Sequence, residues 1–178
     1  MSLDDLVAYL DELSKPAPLA DLAARLGALD IRGTDLAGLG DFITFSERGY
    51  TRNKVREGAW YHLLVLCWKN GQRSPIHDHA GSACGVRVLR GTATETTFVP
   101  AANGHIKAVA SRDLPAGKVC ATQDSDIHQL SNLQANDADL VTLHVYSPPL
   151  LWMGTYSLTD TTRGQEPMFI EFCDAAGI

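Results

Sequence analysis

Three separated stretches of this chain carry residues whose types and spacing suit chemistry. His77 and His79 stand two apart in Pro75-Ile76-His77-Asp78-His79, His128 follows Ile127, and His144 lies within Thr142-Leu143-His144-Val145-Tyr146. On an extended segment, residues i and i+2 share a face. His77 and His79 therefore aim two imidazoles at a common point, while Asp78 turns away as a supporting or surface group. If His128 converges on the same point, three imidazoles suit one metal ion, in a site with no protein carboxylate. Thr142, His144 and Tyr146 alternate with Leu143 and Val145, so the polar three share one face of a strand and the aliphatic two the other. A polar row turned inward needs hydrogen-bond partners, because buried unpaired groups are costly. A relay meets that need: threonine orients the imidazole, which orients the phenol. The plain alternative is a row facing solvent.

The elements that must position these side chains change character along the chain. Leu3, Leu6, Val7 and Leu10 recur at helical spacing after a Ser2/Asp4 start, and Leu19 to Leu29 repeats the habit after Pro16 and Pro18. Gly33 and the Gly38/Gly40 pair punctuate a loop. From Trp60 onward the pattern predicts short strands: Trp60–Trp68, Gly85–Leu89, Thr92–Phe98, His105–Ala110, Lys118–Thr122, Asp139–Tyr146 and Glu166–Phe172. Asn70-Gly71, Arg90-Gly91, Asn103-Gly104, Ala116-Gly117 and Pro148-Pro149 mark turns between them. The expected architecture is mainly β, a sandwich or barrel with a small helical N-terminus packed against it. One domain is expected over residues 1–178, with helices in 1–40 and the barrel in 45–178.

Composition narrows the class. A hydrophobic share of 45% and a charged share of 20% are those of a globular protein. A net charge of −6 argues against general nucleic-acid binding, since no basic concentration exists to replace counterions on phosphates. The longest strongly apolar run, Leu63 to Trp68, is far too short to span a membrane. Met1-Ser2-Leu3-Asp4-Asp5 is acidic where a secretory signal is basic. Cys67, Cys84, Cys120 and Cys173 are scattered without a CxxC, which reads as reduced thiols in the cytoplasm. Cys67 and Cys173 look structural, His62 and His105 look like ordinary strand residues, and Trp152 and Met153 suit either a pocket mouth or core packing.

The histidine stretches resemble the two motifs of the cupin superfamily, G-x5-H-x-H-x4-E-x6-G and a later H-x3-N. This chain reads Gly71-x5-His77-x-His79-x4-Cys84-x6-Gly91 and His128-x3-Asn132. Cysteine stands where cupins usually place a ligating glutamate. That departure, with Tyr50-Thr51-Arg52-Asn53 upstream, Leu66-Cys67-Trp68, and Leu143-His144-Val145-Tyr146-Ser147-Pro148-Pro149 downstream, resembles the cysteine dioxygenases, from about Tyr50 to Pro149. The N-terminal helices and the residues after Trp152 add little to the likeness.

The resemblance implies a cupin-type, jelly-roll-like β-barrel and one Fe(II) per chain on His77, His79 and His128. It implies L-cysteine and O2 as substrates, cysteine sulfinic acid as product, and no nucleic-acid or membrane partner; a monomer is expected. It makes Arg52 the holder of the substrate carboxylate, with Tyr50 assisting, and Tyr146 a positioning acid behind Thr142 and His144. Relatives that prefer 3-mercaptopropionate tend to have glutamine in place of Arg52, so that thiol is the nearer alternative. A non-catalytic cupin built around zinc is the farther one, because three histidines with an open position also suit zinc. In animal members a cysteine at the Cys84 position is joined to the phenol through a thioether, whereas bacterial relatives generally have glycine. Cys84 thus reads either as a thioether partner of Tyr146 or as a small buried apolar side chain. Strand parity puts it opposite His79 unless a turn intervenes near Gly81.

Overall fold

The computed structural model describes residues 1–31, 36, 38–123 and 127–168. Among these residues two helices, α1 (Leu3–Asp11) and α2 (Leu19–Ala28), and a 3-10 turn at Gly40–Phe42 precede eleven strands. The strands are β1 (Thr51–Gly58), β2 (Tyr61–Trp68), β3 (Ile76–His77), β4 (Ala83–Arg90), β5 (Thr92–Pro100), β6 (Ile106–Pro115), β7 (Val119–Gln123), β8 (Ile127–Ser131), β9 (Leu140–Ser147), β10 (Trp152–Tyr156) and β11 (Gly164–Pro167). They form two antiparallel sheets, ordered β1-β2-β9-β4-β7 and β11-β10-β3-β8-β5-β6. The chain crosses from one sheet to the other repeatedly, which gives the expected jelly-roll-like layout as two facing sheets. Both expected helices form. The first is closed by a reciprocal cap in which Ser2 Oγ accepts from the Asp5 backbone N–H at 3.1 Å and the Asp5 carboxylate accepts from the Ser2 N–H at 2.8 Å.

Four strands escape the hydrophobic pattern. β1 reads as polar because it is an edge strand and carries Lys54, Arg56 and Glu57 toward water. β3 is two residues long, and β8 and β10 are short and mixed in polarity. The expected strand Glu166–Phe172 is replaced by Gly164–Pro167, and residues 169–172, like Gly33 and Cys173, lie outside the described residues. His105 sits in the turn before β6 rather than in a strand.

Period two in β2 and β9 separates two cores. Leu63, Val65 and Cys67 of β2 and Val141, Leu143 and Val145 of β9 face outward and pack with Leu6, Leu10, Leu22 and Leu26 of the helices. Each of those leucines contributes about 1.5–3 kcal/mol through burial. Leu64, Leu66 and Trp68 of β2 and Leu140 and Tyr146 of β9 face inward, toward Ala93, Leu114 and Leu130 of the other sheet. Because the helices claim the aliphatic face, Thr142, His144 and Tyr146 must point between the sheets. Gly91 holds the tight β4–β5 connection at φ 80°, and a Cβ there would meet the Asp139 carbonyl oxygen at 2.7 Å.

Candidate metal centre

His77 on β3 and His128 on β8 are direct partners in the β3·β8 ladder, so residues far apart in sequence stand side by side. His79 follows β3 in the connection to β4. The three side chains are buried, and one ligand nitrogen from each lies within 4.8 Å of the others. Their ring centroids are 4.7–5.2 Å apart. His77 Nδ1 donates to the Pro75 carbonyl at 3.0 Å, which leaves its Nε2 as a lone pair. His128 Nδ1 faces Glu95 Oε1 at 3.1 Å, and its Nε2 is buried without a partner among the described residues. His79 Nδ1 is 3.4 Å from Thr122 Oγ1. Burial, then the neighbouring His128, pushes the His77 pKa down to about 3, and burial holds His79 well below its usual value. Neutral imidazoles with an orphaned, inward lone pair fit a metal ion.

The facing sheet supplies a hydrogen-bonded row. Trp68 Nε1–H donates to Thr142 Oγ1 at 3.0 Å, Thr142 Oγ1 is 2.9 Å from His144 Nε2, and His144 Nδ1 is 3.1 Å from the Tyr146 hydroxyl. Indole is a donor only. Thr142 Oγ1 keeps a second lone pair and its hydrogen, and in one of the two tautomers open to His144 that hydrogen goes to Nε2. The imidazole then donates from Nδ1 to the phenol oxygen, leaving the phenol hydrogen for the cavity. Burial, then Arg52, keeps His144 neutral by holding its pKa well below the usual value. Burial pushes the Tyr146 phenol up, and its proton stays on. The solvent-facing alternative for this row is excluded, since all three residues are buried.

Arg52 on β1 reaches into the same cavity. It is 8% exposed, lies beside Tyr50, donates from one Nη to the Tyr146 hydroxyl at 3.5 Å, and keeps Nε and the other Nη buried with no hydrogen bond of good geometry among the described residues. Two unanswered donors on a buried guanidinium form a cradle for a carboxylate. Tyr50 stacks on Trp68 with centroids 4.2 Å apart and lines the cavity with Arg52.

Cys84 escapes the parity objection. Ala80 (φ 46°) and Gly81 (φ 97°) turn the chain, and the Ser82 N–H bonds back to the His79 carbonyl at 2.9 Å. That resets the alternation, and Cys84 stands directly across from Tyr146 in the β4·β9 ladder, on the cavity wall. Burial raises its thiol pKa. Among the described residues, no disulfide involves Cys67, Cys84 or Cys120.

Several residues take places that the sequence does not reveal. Asp78 is buried rather than at the surface. Its carboxylate accepts from the backbone N–H groups of Ala80 at 3.2 Å and Gly154 at 3.1 Å, from Tyr156 Oη at 2.7 Å, and from Arg163, so it moors the ligand loop to β10. Asn132 likewise holds the Trp68 and Ala138 carbonyls, at 3.0 and 2.8 Å, and is no ligand. Met153 is buried on the cavity wall, while Trp152 is 55% exposed. Glu166 and Met168 border a second hollow that shares Tyr50, Arg52 and Met153, so residues after Trp152 do shape the approach to the site. Glu95 escapes the sequence reading altogether. Its one signal is a lone carboxylate in register with Ala93 and Thr97 on the inward face of β5.

Residues 5–159 match the family described as cysteine dioxygenase type I, a span that takes in the N-terminal helices as well as the central motifs. Over 155 residues the chain is 34% identical to cysteine dioxygenase type 1 of Homo sapiens, covering 83% of this chain and 75% of that protein. It is 32% identical over 158 residues to the Rattus norvegicus protein of the same name, covering 78% of each. Among solved structures it is similar to a protein from Thermus thermophilus, with TM-score 0.53 and 16% identity over 62% of this chain and 94% of that one. An uncharacterized conserved protein with a double-stranded β-helix domain from Klebsiella pneumoniae gives TM-score 0.53 and 16% identity over 67% of this chain and 91% of that one. At such identity these two likenesses speak to the fold alone. No helix among the described residues is long and apolar enough to cross a membrane.

Proposed function

The chain belongs to the cysteine dioxygenase type I family, and from that premise we propose that it oxidises L-cysteine with O2 to cysteine sulfinic acid at one Fe(II). The observation that carries this reading is the buried Arg52, whose Nε and one Nη have no hydrogen bond of good geometry among the described residues, on the wall of the cavity that His77, His79 and His128 also line. An amino-acid carboxylate answers those two donors, and a thiol on the same small molecule can then reach the histidine cluster.

His77, His79 and His128 would hold the iron, which when bound would lower the thiol pKa and bring O2 to the sulfur. The overall change balances without another reductant: both oxygen atoms end on sulfur, and the thiol becomes a sulfinic acid. Arg52 binds and orients the carboxylate through parallel charge-assisted bonds, and Tyr50, stacked on Trp68, stiffens that end of the pocket. Thr142 and His144 fix the phenol of Tyr146, which keeps its proton and offers it as a hydrogen bond toward the reacting sulfur. Leu66, Val86 and Leu130 on the cavity wall exclude water from these contacts.

Cys84 faces Tyr146 across the β4·β9 ladder, which suits a thioether between them. Joining the two removes the thiol hydrogen and a ring hydrogen and passes two electrons and two protons to O2, which leaves as hydrogen peroxide. A mass loss of about two hydrogens after exposure to Fe(II), O2 and cysteine, absent in Cys84→Ser, is expected; an unchanged mass refutes the link. The scattered cysteines, with no CxxC among them, support a cytoplasmic setting.

Oxygen uptake by the Fe(II)-loaded chain with a panel of small thiols tests the reading. L-Cysteine should be turned over fastest, and Arg52→Gln should shift preference toward 3-mercaptopropionate. Faster turnover of 3-mercaptopropionate with Arg52 intact would overturn the choice of substrate. Full zinc occupancy after anaerobic preparation, with no oxygen uptake, would overturn the oxidative reading itself.

A further inference from the structure

Glu95 is a buried carboxylate that the proposed reaction leaves without a task. It lies on β5, 2% exposed, and its Oε1 accepts from His128 Nδ1 at 3.1 Å. Arg112 is its direct partner across the β5·β6 ladder and closes on Oε2, with Nε at 2.7 Å and an Nη at 2.6 Å. The Cys120 thiol on β7 donates to Oε1 at 3.2 Å, and an Nη of Arg112 reaches that sulfur at 3.4 Å.

The three ligand histidines are therefore backed unequally. His77 leans on a backbone carbonyl and His79 on a hydroxyl, whereas His128 leans on a carboxylate that is paired with a cation. A carboxylate oxygen only accepts, so the hydrogen of His128 is fixed on Nδ1 and its lone pair on the buried, unpartnered Nε2. Negative charge behind the ring also makes that lone pair a stronger donor to a cation and offsets the charge of an ion held by neutral ligands. The carboxylate absent from the ligand set is present one hydrogen bond farther out.

We propose that Glu95, held in place by Arg112 and Cys120, is a positioning residue that sets the metal affinity of the site through His128. The inference rests on the metal-centre part of the proposed function and not on the identity of the thiol. Glu95→Gln keeps the shape and an acceptor oxygen but removes the charge. Anaerobic titration of the metal-free full-length chain with Fe(II), and separately with Co(II), against a competing chelator gives the dissociation constant. Glu95→Gln should weaken binding about 10- to 100-fold. Arg112→Ala, a change at a side chain 60% exposed, removes one of the two supports but keeps the carboxylate and its charge, and should weaken binding less than Glu95→Gln does. A purely structural ion pair would lower the melting midpoint of both metal-free variants and leave both affinities at the parental value, and that result overturns the proposal. If Glu95→Gln fails to fold, Glu95→Asp withdraws the carboxylate by one methylene; unchanged affinity there also overturns it. Should the parent show no thiol-dependent oxygen uptake while Glu95→Gln still loses affinity, the dioxygenase reading falls and this one stands.

Discussion

The two sheets that enclose the cavity present different kinds of atom to it. The sheet containing β3, β5 and β8 brings lone pairs: His77 and His128 from paired strands, His79 just beyond them, and Glu95 behind. The sheet containing β1, β4 and β9 brings hydrogens: the Arg52 guanidinium, the Tyr146 phenol and the row behind it. Their supports differ accordingly. A ligand nitrogen needs one fixed tautomer, and a single acceptor behind each ring suffices. A donor aimed at a substrate needs its whole chain of hydrogen bonds ordered, which is why the row runs from Trp68 through Thr142 and His144. The first wall should govern what ion is held, and the second what happens to the molecule beside it.

Substitutions can break that division. The largest effect is expected from His128→Ala, which should abolish metal retention and lower turnover by more than the roughly 100-fold that outer partners are worth; full metal content in this variant would contradict the assignment of the first wall. Tyr146→Phe should keep its metal and its KM while kcat falls roughly 100-fold. A loss of metal instead would show that the walls are not separable. Arg52→Ala should likewise keep its metal and raise the KM for cysteine about 10- to 100-fold, the worth of charge-assisted bonds to a carboxylate. An unchanged KM would place the carboxylate elsewhere.

The smallest effect concerns pH and the metal-free chain. His144 stays neutral in the fold, with its pKa held well below 6.5 by burial and by Arg52, whereas the unfolded chain takes up a proton near that value. Its contribution to stability is present above the unfolded pKa and is lost as pH falls below it, at up to about 1.4 kcal/mol per pH unit. Denaturation midpoints should therefore drop from about pH 7 to about pH 5, less steeply in His144→Gln. Parallel slopes would show that His144 titrates alike in both states.

Much of this arrangement is legible in the residues. Alternation in Thr142-Leu143-His144-Val145-Tyr146 gives the two faces of β9, and the amphipathic helices say which face they cover. The spacing of His77, His79 and His128 marks the group that could hold a metal. Local pattern fails where a residue's setting comes from a strand distant in sequence. β1 looks like loop until β2 pairs with it, and Arg52 looks like a surface cation until Tyr146 lies beneath it. Glu95 reads as one charge among threonines, and only the β5·β8 and β5·β6 ladders bring His128 and Arg112 to it. Cys84 is ambiguous for another reason: a single pair of left-handed residues, Ala80 and Gly81, decides which way the next strand faces.

Gly85 follows Cys84 on the opposite face of β4, and a Cβ there would meet Leu26 Cδ1 at 2.6 Å and Leu22 Cβ at 3.4 Å. Helix α2 thus sits against bare backbone one residue from the cavity wall, and Arg87 ties the end of that helix to the same strand through the Leu26 and Gly27 carbonyls. The helix works as a locating pin: with no side chain as a spacer, it seats directly on the back of β4, while the ladder to β9 keeps Cys84 across from Tyr146. Changes on a surface that never meets the substrate therefore act at the back of the strand that carries Cys84. An enzyme tuned by selection for a different thiol could be adjusted from the back of the sheet, leaving every residue of the cavity as it is.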